Sequence, residues 1–283
     1  MTQLADRAVI PAVGAFGTLV DVVAGGGALV LSGAGLSTES GIPDYRGPTG
    51  RARRATPMTY RAFTGSPAAR RRYWARSHLG WRHIARAVPN AGHRAVAELA
   101  RRGLLAGIIT QNVDGLHQAA GAAEVTELHG SLHWVVCLRC GQRTPRAALD
   151  RRLRAANPGW DASAAQVNPD GDAVLAEDVT ERFQVVDCAA CGGVLKPDVV
   201  FFGENVPNER VQACYRLTER ARALVVLGSS LTVMSGFRFV RHAARLGRPV
   251  VIVNQGATRG DRYACARMDA PLGPALAALV ERL

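Results

Sequence analysis

Four short apolar runs divide the chain, and each one ends in small or polar residues. They are residues 28–32 (ALVLS), 104–110 (LLAGIIT), 223–229 (ALVVLGS) and 249–254 (PVVIVN). None of the runs alternates between apolar and polar positions along its length. Runs of this kind predict strands that are buried on both faces of a parallel sheet.

Between these runs lie stretches with helical periodicity. In residues 92–102 and 236–246 the apolar positions recur at intervals of three and four, which favours helices with one apolar face. Buried strands that alternate with amphipathic helices predict an α/β fold. We expect a doubly wound, Rossmann-like parallel sheet, with ligands at the carboxyl ends of its strands.

Two stretches depart from this alternation. Residues 48–90 are rich in arginine, contain tryptophan and have no strong strand pattern, so they predict a helical excursion. Residues 131–195 contain two Cys-x-x-Cys pairs and predict an inserted small module. The expected organisation is therefore a Rossmann-like domain formed by residues 1–130 and 196–283, interrupted by the module.

The paired cysteines predict a metal site. They are Cys137 and Cys140 in CLRCG, and Cys188 and Cys191 in CAACGG. Four thiolates at this spacing form a closed tetrahedral zinc site, which leaves no position for water and is therefore structural. A redox pair is the alternative. Cys214 and Cys265 have no partner nearby in the sequence and are predicted to be buried apolar residues.

Composition changes this picture little. The 283 residues are 48% hydrophobic, which is enough for a large core, and the formal net charge of +12 raises the question of a nucleic-acid partner. Almost every cation is a scattered arginine, and Lys196 is the only lysine, so a solvated basic surface is favoured. No run of about 18 apolar residues occurs, so no membrane partner is expected. Free Cys-x-x-Cys pairs predict a cytoplasmic location.

The first apolar run leads into a glycine turn, GAGLSTESGIPDYRG at residues 33–47. Gly33 and Gly35 match the first half of a dinucleotide fingerprint, but Thr38 occupies the third glycine position. Arginines, rather than a carboxylate, follow about 20 residues on. Backbone amides of Gly33, Ala34 and Gly35 are expected to cradle a pyrophosphate, while a hydride-transferring dehydrogenase is disfavoured.

Polar side chains follow the other strands. Gln111, Asn112 and Asp114 stand in TQNVDGLH, after the second run, and His129 precedes a glycine in ELHGS. The segments GSS (228–230) and NQG (254–256) follow the last two runs. Because the carboxyl ends of parallel strands meet at one edge of the sheet, these groups are expected to surround one ligand.

Taken in order, these motifs, the two cysteine pairs and LKPDVVFFGE resemble the sirtuins, the NAD-dependent protein deacylases. The resemblance runs from about Gly25 to near the C-terminus. The segments RYWARSHLGW, NPDGD and LTVMSGFRF are more similar to class II sirtuins, which include a mitochondrial member, than to the commonest bacterial ones.

The resemblance implies that NAD is a co-substrate rather than a hydride carrier. Its nicotinamide end would lie near Ile42, Asp44, Asn112 and Asp114. The full set of residues implied to contact NAD is Gly33, Ala34, Gly35, Thr38, Ile42, Asp44, Tyr45, Arg46, Gln111, Asn112, Val113, Asp114, Gly228, Ser229, Ser230, Asn254, Gln255, Gly256 and Leu272.

The resemblance also implies the chemistry. The acyl oxygen of a substrate lysine attacks the ribose carbon that nicotinamide leaves, and His129 acts as general base on a ribose hydroxyl, with Asn112 as the second catalytic position. The products would be free lysine, nicotinamide and O-acyl-ADP-ribose. One structural zinc ion would hold the small module and take no part in the reaction.

Acylated proteins or peptides are the implied partners. They would pair with residues 198–204 by strand addition, in a site containing Val199, Phe201, Gly203 and Glu204. Two departures bear on substrate choice. Ser235-Gly236 stand where many sirtuins have proline, and Tyr73 and Arg76 have the spacing that marks an acidic-acyl pocket in some sirtuins, with structural packing as the alternative.

Two other functions stay open from the sequence. Within the family, a mono-ADP-ribosyltransferase would transfer the ribose directly to an acceptor side chain. In a different class, the net charge would suit a zinc-ribbon nucleic-acid-binding regulator, although nucleic acid is the less expected partner because the insert between the cysteine pairs is acidic. The oligomeric state is left open.

Overall fold

The computed structural model describes residues 12–45, 57–160, 171–173 and 175–283. Arg46, most of the arginine-rich loop that follows it and the first three residues of NPDGD lie outside the described residues. None of the helices described has the length and hydropathy of a membrane-spanning segment.

The structure contains strands and helices that alternate along most of the chain. The strands are β1 (Ala28–Ser32), β2 (Leu105–Thr110), β3 (Val125–Glu127), β4 (Gly130–Cys137), β5 (Arg143–Pro145), β6 (Leu195–Val199), β7 (Ala223–Leu227), β8 (Val250–Val253) and β9 (Ala266–Met268). The helices are α1 (Ala12–Ala24), α2 (Tyr60–Gly65), α3 (Pro67–Arg86), α4 (Ala91–Arg101), α5 (Leu116–Ala119), α6 (Arg146–Ala156), α7 (Glu177–Glu181), α8 (Asn208–Arg220), α9 (Met234–Arg245) and α10 (Leu272–Arg282).

Six strands form the large sheet, in the order β3-β2-β1-β7-β8-β9, and every pair is parallel. Leu31 lies opposite Ile109 on one side and Val226 on the other. The chain winds outward from β1 in one direction and then outward from β7 in the other. This doubly wound order confirms the predicted fold class and places the switch point, where ligands bind, between β1 and β7.

Helices cover both faces of the sheet, which explains the unbroken apolar runs. Neighbouring residues of a strand point to opposite faces. Val30 therefore packs with α1, α4 and α10, whereas Leu29 and Leu31 pack with α8 and α9. Cys214 is fully buried on this second face, as predicted, while Cys265 is only half-buried.

The helical excursion is formed by α2 and α3, and this confirms the prediction for residues 60–86. Each helix has a side-chain N-cap, because Thr59 Oγ1 accepts the amide of Ala62 and Ser66 Oγ accepts the amide of Ala69. Pro67 begins α3, a position where its missing N–H costs nothing. These caps fix where the two helices start.

The excursion and the inserted module share one hydrophobic cluster. Phe63, Tyr73 and Trp74 of the excursion pack with Leu149 and Leu195 of the module. Trp74 also donates its indole N–H to the carbonyl of Leu195, at 3.2 Å. The two insertions therefore form one packed body beside the sheet, although the predicted domain boundaries stay a prediction.

The module is built on a small antiparallel sheet in the order β5-β4-β6. β4 begins directly after His129 and ends at Cys137, and β6 leads from the second cysteine pair back to the large sheet. Eight extended residues span about 25 Å. One strand thus connects the candidate base to the cysteine cluster and keeps the two apart.

The four paired cysteines converge at the far end of β4. Their Sγ atoms all lie within 4.8 Å of one another, with 3.5 Å between Cys137 and Cys191 and 3.9 Å between Cys140 and Cys188. Four sulfurs bound to one zinc ion at about 2.3 Å are separated by about 3.8 Å. A Cβ at Gly193 would lie 2.8 Å from Cys137 Sγ, so the turn requires glycine. The donor set fits a structural zinc ion.

We expect purified protein to contain about one zinc ion per chain. Chelation or Cys140→Ser should remove the ion and lower the melting temperature by more than about 5 °C, because a structural zinc ion contributes directly to folding free energy. Metal analysis and thermal denaturation measure both effects. Cys265→Ser is the matched control and should keep its zinc, and full zinc content in Cys140→Ser would contradict the assignment.

Candidate functional site

The turns that follow β1 and β7 touch each other at the switch point. Gly33 N–H donates to Leu227 O at 2.9 Å, and Gly35 N–H donates to Gly228 O at 2.8 Å. A Cβ at Gly33 would lie 2.8 Å from Gly228 O, and one at Gly35 would lie 2.9 Å from Gly228 Cα. Gly228 itself has a φ of +63°, which favours glycine. The glycines are needed for this close approach of backbone to backbone.

These hydrogen bonds correct one expectation. A backbone amide has a single proton to donate, and those of Gly33 and Gly35 are already used by Leu227 and Gly228. The expectation that these two amides cradle a pyrophosphate is therefore wrong. Ala34 begins a 3₁₀ turn that ends at Leu36, and Thr38 Oγ1 donates to Gly35 O at 2.9 Å.

The loop after the turn extends from Gly41 toward Phe202. Ile42 and Asp44 are buried, whereas Tyr45 is 37% exposed and meets Phe202 edge to face, with 6.1 Å between the ring centroids. Phe202 lies within residues 198–204, the segment predicted to pair with the substrate. The described part of this loop therefore reaches both the glycine turn and the expected peptide site, while Arg46 lies outside it.

A polar network joins the end of β2 to the glycine turn. Asn112 Nδ2 donates to Gly33 O and to Ser37 Oγ, both at 3.0 Å. Ser37 Oγ in turn donates to Asp114 Oδ2 at 2.7 Å. Burial raises the pKa of Asp114, and the hydrogen bonds from Leu116 N and Ser37 oppose that shift. The structure thus brings Asn112 and Asp114 together.

Ser37 is a member of the site that the sequence analysis missed. It is 1% exposed and bridges the two residues just described. The only available signal was its place in GLSTES, next to Thr38, and a serine in a glycine turn has many ordinary roles.

Other predicted positions line the same edge of the sheet. Gln111 Nε2 donates to Ser229 Oγ at 2.8 Å and to Ser32 O at 3.2 Å, which links the ends of β1, β2 and β7. Val113 O accepts the amide of Leu132 and so connects this edge to the module. Ser230 is half-buried, and its hydroxyl lies 3.1 Å from Thr232 Oγ1.

The end of β8 completes this edge. Asn254 is buried, and its side-chain amide donates to the carbonyls of Gln255 and Gly256, which are both exposed. Leu272, at the start of α10, lies against Gly228, where an added Cβ would be 2.7 Å from Leu272 Cδ1. These predicted positions therefore lie along one edge of the sheet, at the ends of β1, β2, β7 and β8.

His129 lies at the end of β3, where the large sheet meets the module. Its Nδ1 is 2.9 Å from Gln111 O, and its Nε2 is 2.8 Å from Ser235 Oγ. A carbonyl oxygen only accepts, so Nδ1 carries the proton and Nε2 carries the lone pair. Burial lowers the pKa of His129, the bond to Gln111 O raises it, and the charge of Arg210 lowers it. The imidazole is thus a neutral base whose lone pair faces Ser235.

The expected substrate strand differs in part from the prediction. β6 ends at Val199, and the chain then turns, with Glu204 N–H donating to Phe201 O at 3.0 Å. Val200 N–H donates to His129 O at 2.8 Å, which ties this segment to the candidate base. Val199 and Phe201 are buried, and Gly203 is exposed.

Lys196 and Glu204 hold this segment through hydrogen bonds to its backbone and an ion pair with each other. Lys196 Nζ donates to Val199 O at 2.5 Å and lies 3.1 Å from Glu204 Oε2, which also accepts the amide of Phe201. The lysine is 4% exposed, and burial lowers its pKa while Glu204 raises it. The carboxylate of Glu204 is therefore bound both by the Lys196 ammonium and by the Phe201 amide.

Tyr73 and Arg76 are held in packing and ionic contacts. Tyr73 lies between Phe63 and Phe201, at ring-centroid distances of 5.4 and 5.2 Å. Arg76 Nε donates to Ala173 O at 2.6 Å and lies 3.4 Å from Asp172 Oδ1. The guanidinium already has its counter-ion, so these contacts favour the packing alternative over an acidic-acyl pocket.

Comparison with known proteins gives a consistent result. The model of the Sir2 family matches residues 33–235. NAD-dependent protein deacetylase 1 of Streptomyces coelicolor is 64% identical over 265 residues, covering 94% of this chain and 89% of the relative. The protein of the same description from Mycobacterium avium is 54% identical, covering 94% of each chain.

Solved structures agree with the sequence relatives. A structure that addresses the mechanism and regulation of Sir2 enzymes has a TM-score of 0.75 and 29% identity, and the match covers 95% of this chain and 97% of that one. A Sir2 structure with a p53 peptide and NAD+ has a TM-score of 0.73 and 29% identity, covering 93% and 96%. The family model, the sequence relatives and the solved structures all match across the glycine turns, the candidate base and the cysteine cluster. The chain therefore belongs to the Sir2 family, the sirtuins.

Proposed function

We propose that the chain is an NAD-dependent protein lysine deacylase, which releases nicotinamide, O-acyl-ADP-ribose and free lysine. The observation that carries the proposal is the tautomer of His129, whose Nδ1–H is held by the carbonyl of Gln111, the residue before Asn112, and whose unprotonated Nε2 faces Ser235. The description of the curated relatives as NAD-dependent protein deacetylases supports the same activity. An acetyl group is accordingly the first acyl group to test.

NAD lies, in this proposal, along the edge bordered by the ends of β1, β2, β7 and β8. The phosphates lie near the glycine turn, held by the Ala34 amide and by the hydroxyls of Ser229 and Ser230. The nicotinamide end lies by Ile42, Asp44, Asn112 and Asp114. Support comes from the network that joins Asn112, Ser37 and Asp114, since it holds polar groups rigidly where the glycosidic bond must be exposed.

His129 is the general base of this proposal. It removes the proton of a ribose hydroxyl once the acyl oxygen has bonded to the ribose carbon, and the hydroxyl oxygen then attacks the acyl carbon. The carbonyl of Gln111 holds the ring by Nδ1 and favours the charge that forms when the proton arrives. Asn112, which donates to Gly33 O and Ser37 Oγ, orients the nicotinamide ribose.

The peptide is proposed to bind beside residues 199–203, where backbone hydrogen bonds would give affinity with loose sequence specificity. Val199 and Phe201 would line the acyl-lysine channel, with Gly203 and Glu204 at its mouth. The pairing of Arg76 with Asp172 supports a preference for uncharged acyl groups. A cytoplasmic location is proposed as well, since four free thiolates for zinc require reducing conditions.

The central experiment incubates the protein with NAD and peptides that carry acetyl, succinyl, lipoyl or long-chain acyl-lysine, with products identified by mass spectrometry. We expect O-acyl-ADP-ribose and nicotinamide in equal amounts, fastest with uncharged acyl groups. His129→Ala should lower the rate by about 10²- to 10⁴-fold, the usual contribution of a general base. His242→Ala is the matched control, because His242 pairs with Glu219 on the outer side of α9.

Two outcomes would overturn this assignment. If ADP-ribose mass accumulates on protein and O-acyl-ADP-ribose never forms, the chain is a mono-ADP-ribosyltransferase. If no peptide releases nicotinamide and salt-sensitive DNA binding survives His129→Ala, the nucleic-acid-binding function is favoured.

The pH dependence follows from the lowered pKa of His129. A base works only in its neutral form, and a lowered pKa keeps the imidazole neutral to a lower pH. We therefore expect kcat/KM for NAD to stay constant as the pH falls to the ordinary histidine value of about 6.5 and to decline only below it. Initial rates between pH 5 and 9 measure this, and an acid limb centred above 6.5 would contradict the lowered pKa.

Gly35→Ala tests the contact between the two glycine turns. Its Cβ would lie 2.9 Å from backbone atoms of Gly228, which have little room to move. We expect weaker NAD binding in calorimetric titration and a loss of about 1–3 kcal/mol in the free energy of unfolding. Gly17→Ala, in α1, is the control, because nothing lies within 4 Å of its Cβ position. Equal NAD affinity in both variants would show that the contact does not shape the site.

A further inference from the structure

Ser235 lies in the first turn of α9, in direct contact with the candidate base. Its Oγ is 2.8 Å from His129 Nε2, although the two residues are 106 positions apart in the chain. Ser235 is half-buried, while Val233 and Met234 just before it are exposed. A helix thus begins beside the base, and its second residue turns a hydroxyl inward.

The direction of this hydrogen bond is fixed by the other side of the ring. Since Nδ1–H donates to Gln111 O, Nε2 can only accept, and Ser235 Oγ–H must donate to it. The serine hydroxyl therefore occupies the lone pair that must later accept a proton from substrate. A single lone pair accepts one such bond at a time, so the substrate hydroxyl has to replace Ser235.

The next residue, Gly236, packs against Gln111, the residue that binds the other nitrogen of the His129 ring. A Cβ at Gly236 would lie 2.5 Å from Gln111 Oε1, so a larger residue there would displace the Gln111 side chain from Ser229 and Ser32. The backbone carbonyl of Gln111 holds His129 Nδ1. Ser235 thus contacts one ring nitrogen directly, and Gly236 leaves room for the side chain of the residue whose backbone carbonyl holds the other.

We infer that Ser235 is a positioning residue for deacylation: its hydroxyl holds the His129 ring as the Nδ1-protonated tautomer before substrate binds, and then gives up Nε2 to the ribose hydroxyl. This inference rests on the proposed function for the second step only. The first step concerns the free protein and can be tested without any reaction.

The role has a specific consequence for protonation of the base. Donation from Ser235 stabilises the neutral imidazole, in the same direction as burial and the nearby charge of Arg210 on α8, whereas Gln111 O acts in the opposite direction. Removing the hydroxyl should make His129 easier to protonate in the free protein. In the substrate complex the ribose hydroxyl has taken its place, so the effect there should vanish.

The experiment compares wild type with Ser235→Ala, Ser235→Thr and the control Thr64→Ala, whose hydroxyl donates to the carbonyl of Tyr60 in α2. Nuclear magnetic resonance follows the His129 ring in the free protein as the pH is lowered, with the signal assigned from His129→Ala. We expect the midpoint to rise by about 0.5 to 1 pH unit in Ser235→Ala, the size of one neutral hydrogen bond. Ser235→Thr and Thr64→Ala should match wild type.

Kinetics supply the second readout. The acid limb of kcat/KM reports the free enzyme and that of kcat reports the substrate complex. We expect Ser235→Ala to move the first limb upward by the same 0.5 to 1 pH unit and to leave the second in place. Circular dichroism confirms that the variant is folded. An unchanged His129 midpoint in folded Ser235→Ala would overturn the inference.

Mass spectrometry of the enzyme after turnover tests the rival role of the serine. An acyl or ADP-ribosyl group on Ser235 would show that the hydroxyl acts as a nucleophile activated by His129, which overturns positioning. If wild type releases no nicotinamide with any acyl-lysine peptide, the proposed function fails, yet the titration of the free protein still decides whether Ser235 bonds to His129.

Discussion

The close approach of the turns after β1 and β7 is the constraint on which the site depends. Backbone hydrogen bonds from Gly33 and Gly35 fix the distance between the two halves of the sheet at the switch point. Because those amides are used inside the fold, the turn is a rigid junction, and the polar groups for a ligand come from what surrounds it. Asn112 donates to the same turn through Gly33 O. The ends of three strands are thus held as one unit.

A second connection joins this unit to the small module. His129 and β4 are consecutive in the chain, and β4 ends at the cysteine cluster. The packed body formed by the module and the helical excursion therefore helps to fix the position of His129. A zinc ion at the far end of β4 can stabilise the site without being near the reaction. The strand fixes where His129 lies, while the ion is too distant to act on the reacting atoms through its charge.

The sequence predicts the parts of this arrangement that depend on local pattern. Unbroken apolar runs identified β1, β2, β7 and β8, since a buried parallel sheet requires them, and the cysteine spacing identified the four residues that converge. The shared core of the excursion and the module depends on contacts between residues far apart in the chain, such as Ser77 and Arg146, 69 positions apart, and Trp74 and Leu195, 121 positions apart. So do the roles of Ser37 and Ser235, since a single serine carries no pattern. The use of the glycine amides was predicted wrongly because a glycine turn looks the same whether its amides face a ligand or a neighbouring strand.

Lys196 has a consequence beyond its contacts with Val199 and Glu204. It is the single lysine of the chain, and it lies almost wholly out of solvent. Reactive acyl donors, which modify exposed lysine amines without any enzyme, therefore find no lysine to attack on the described surface. A protein that removes acyl groups from lysine is in this way spared from becoming its own substrate, and its positive surface, made of arginine, keeps its charge when its surroundings are heavily acylated.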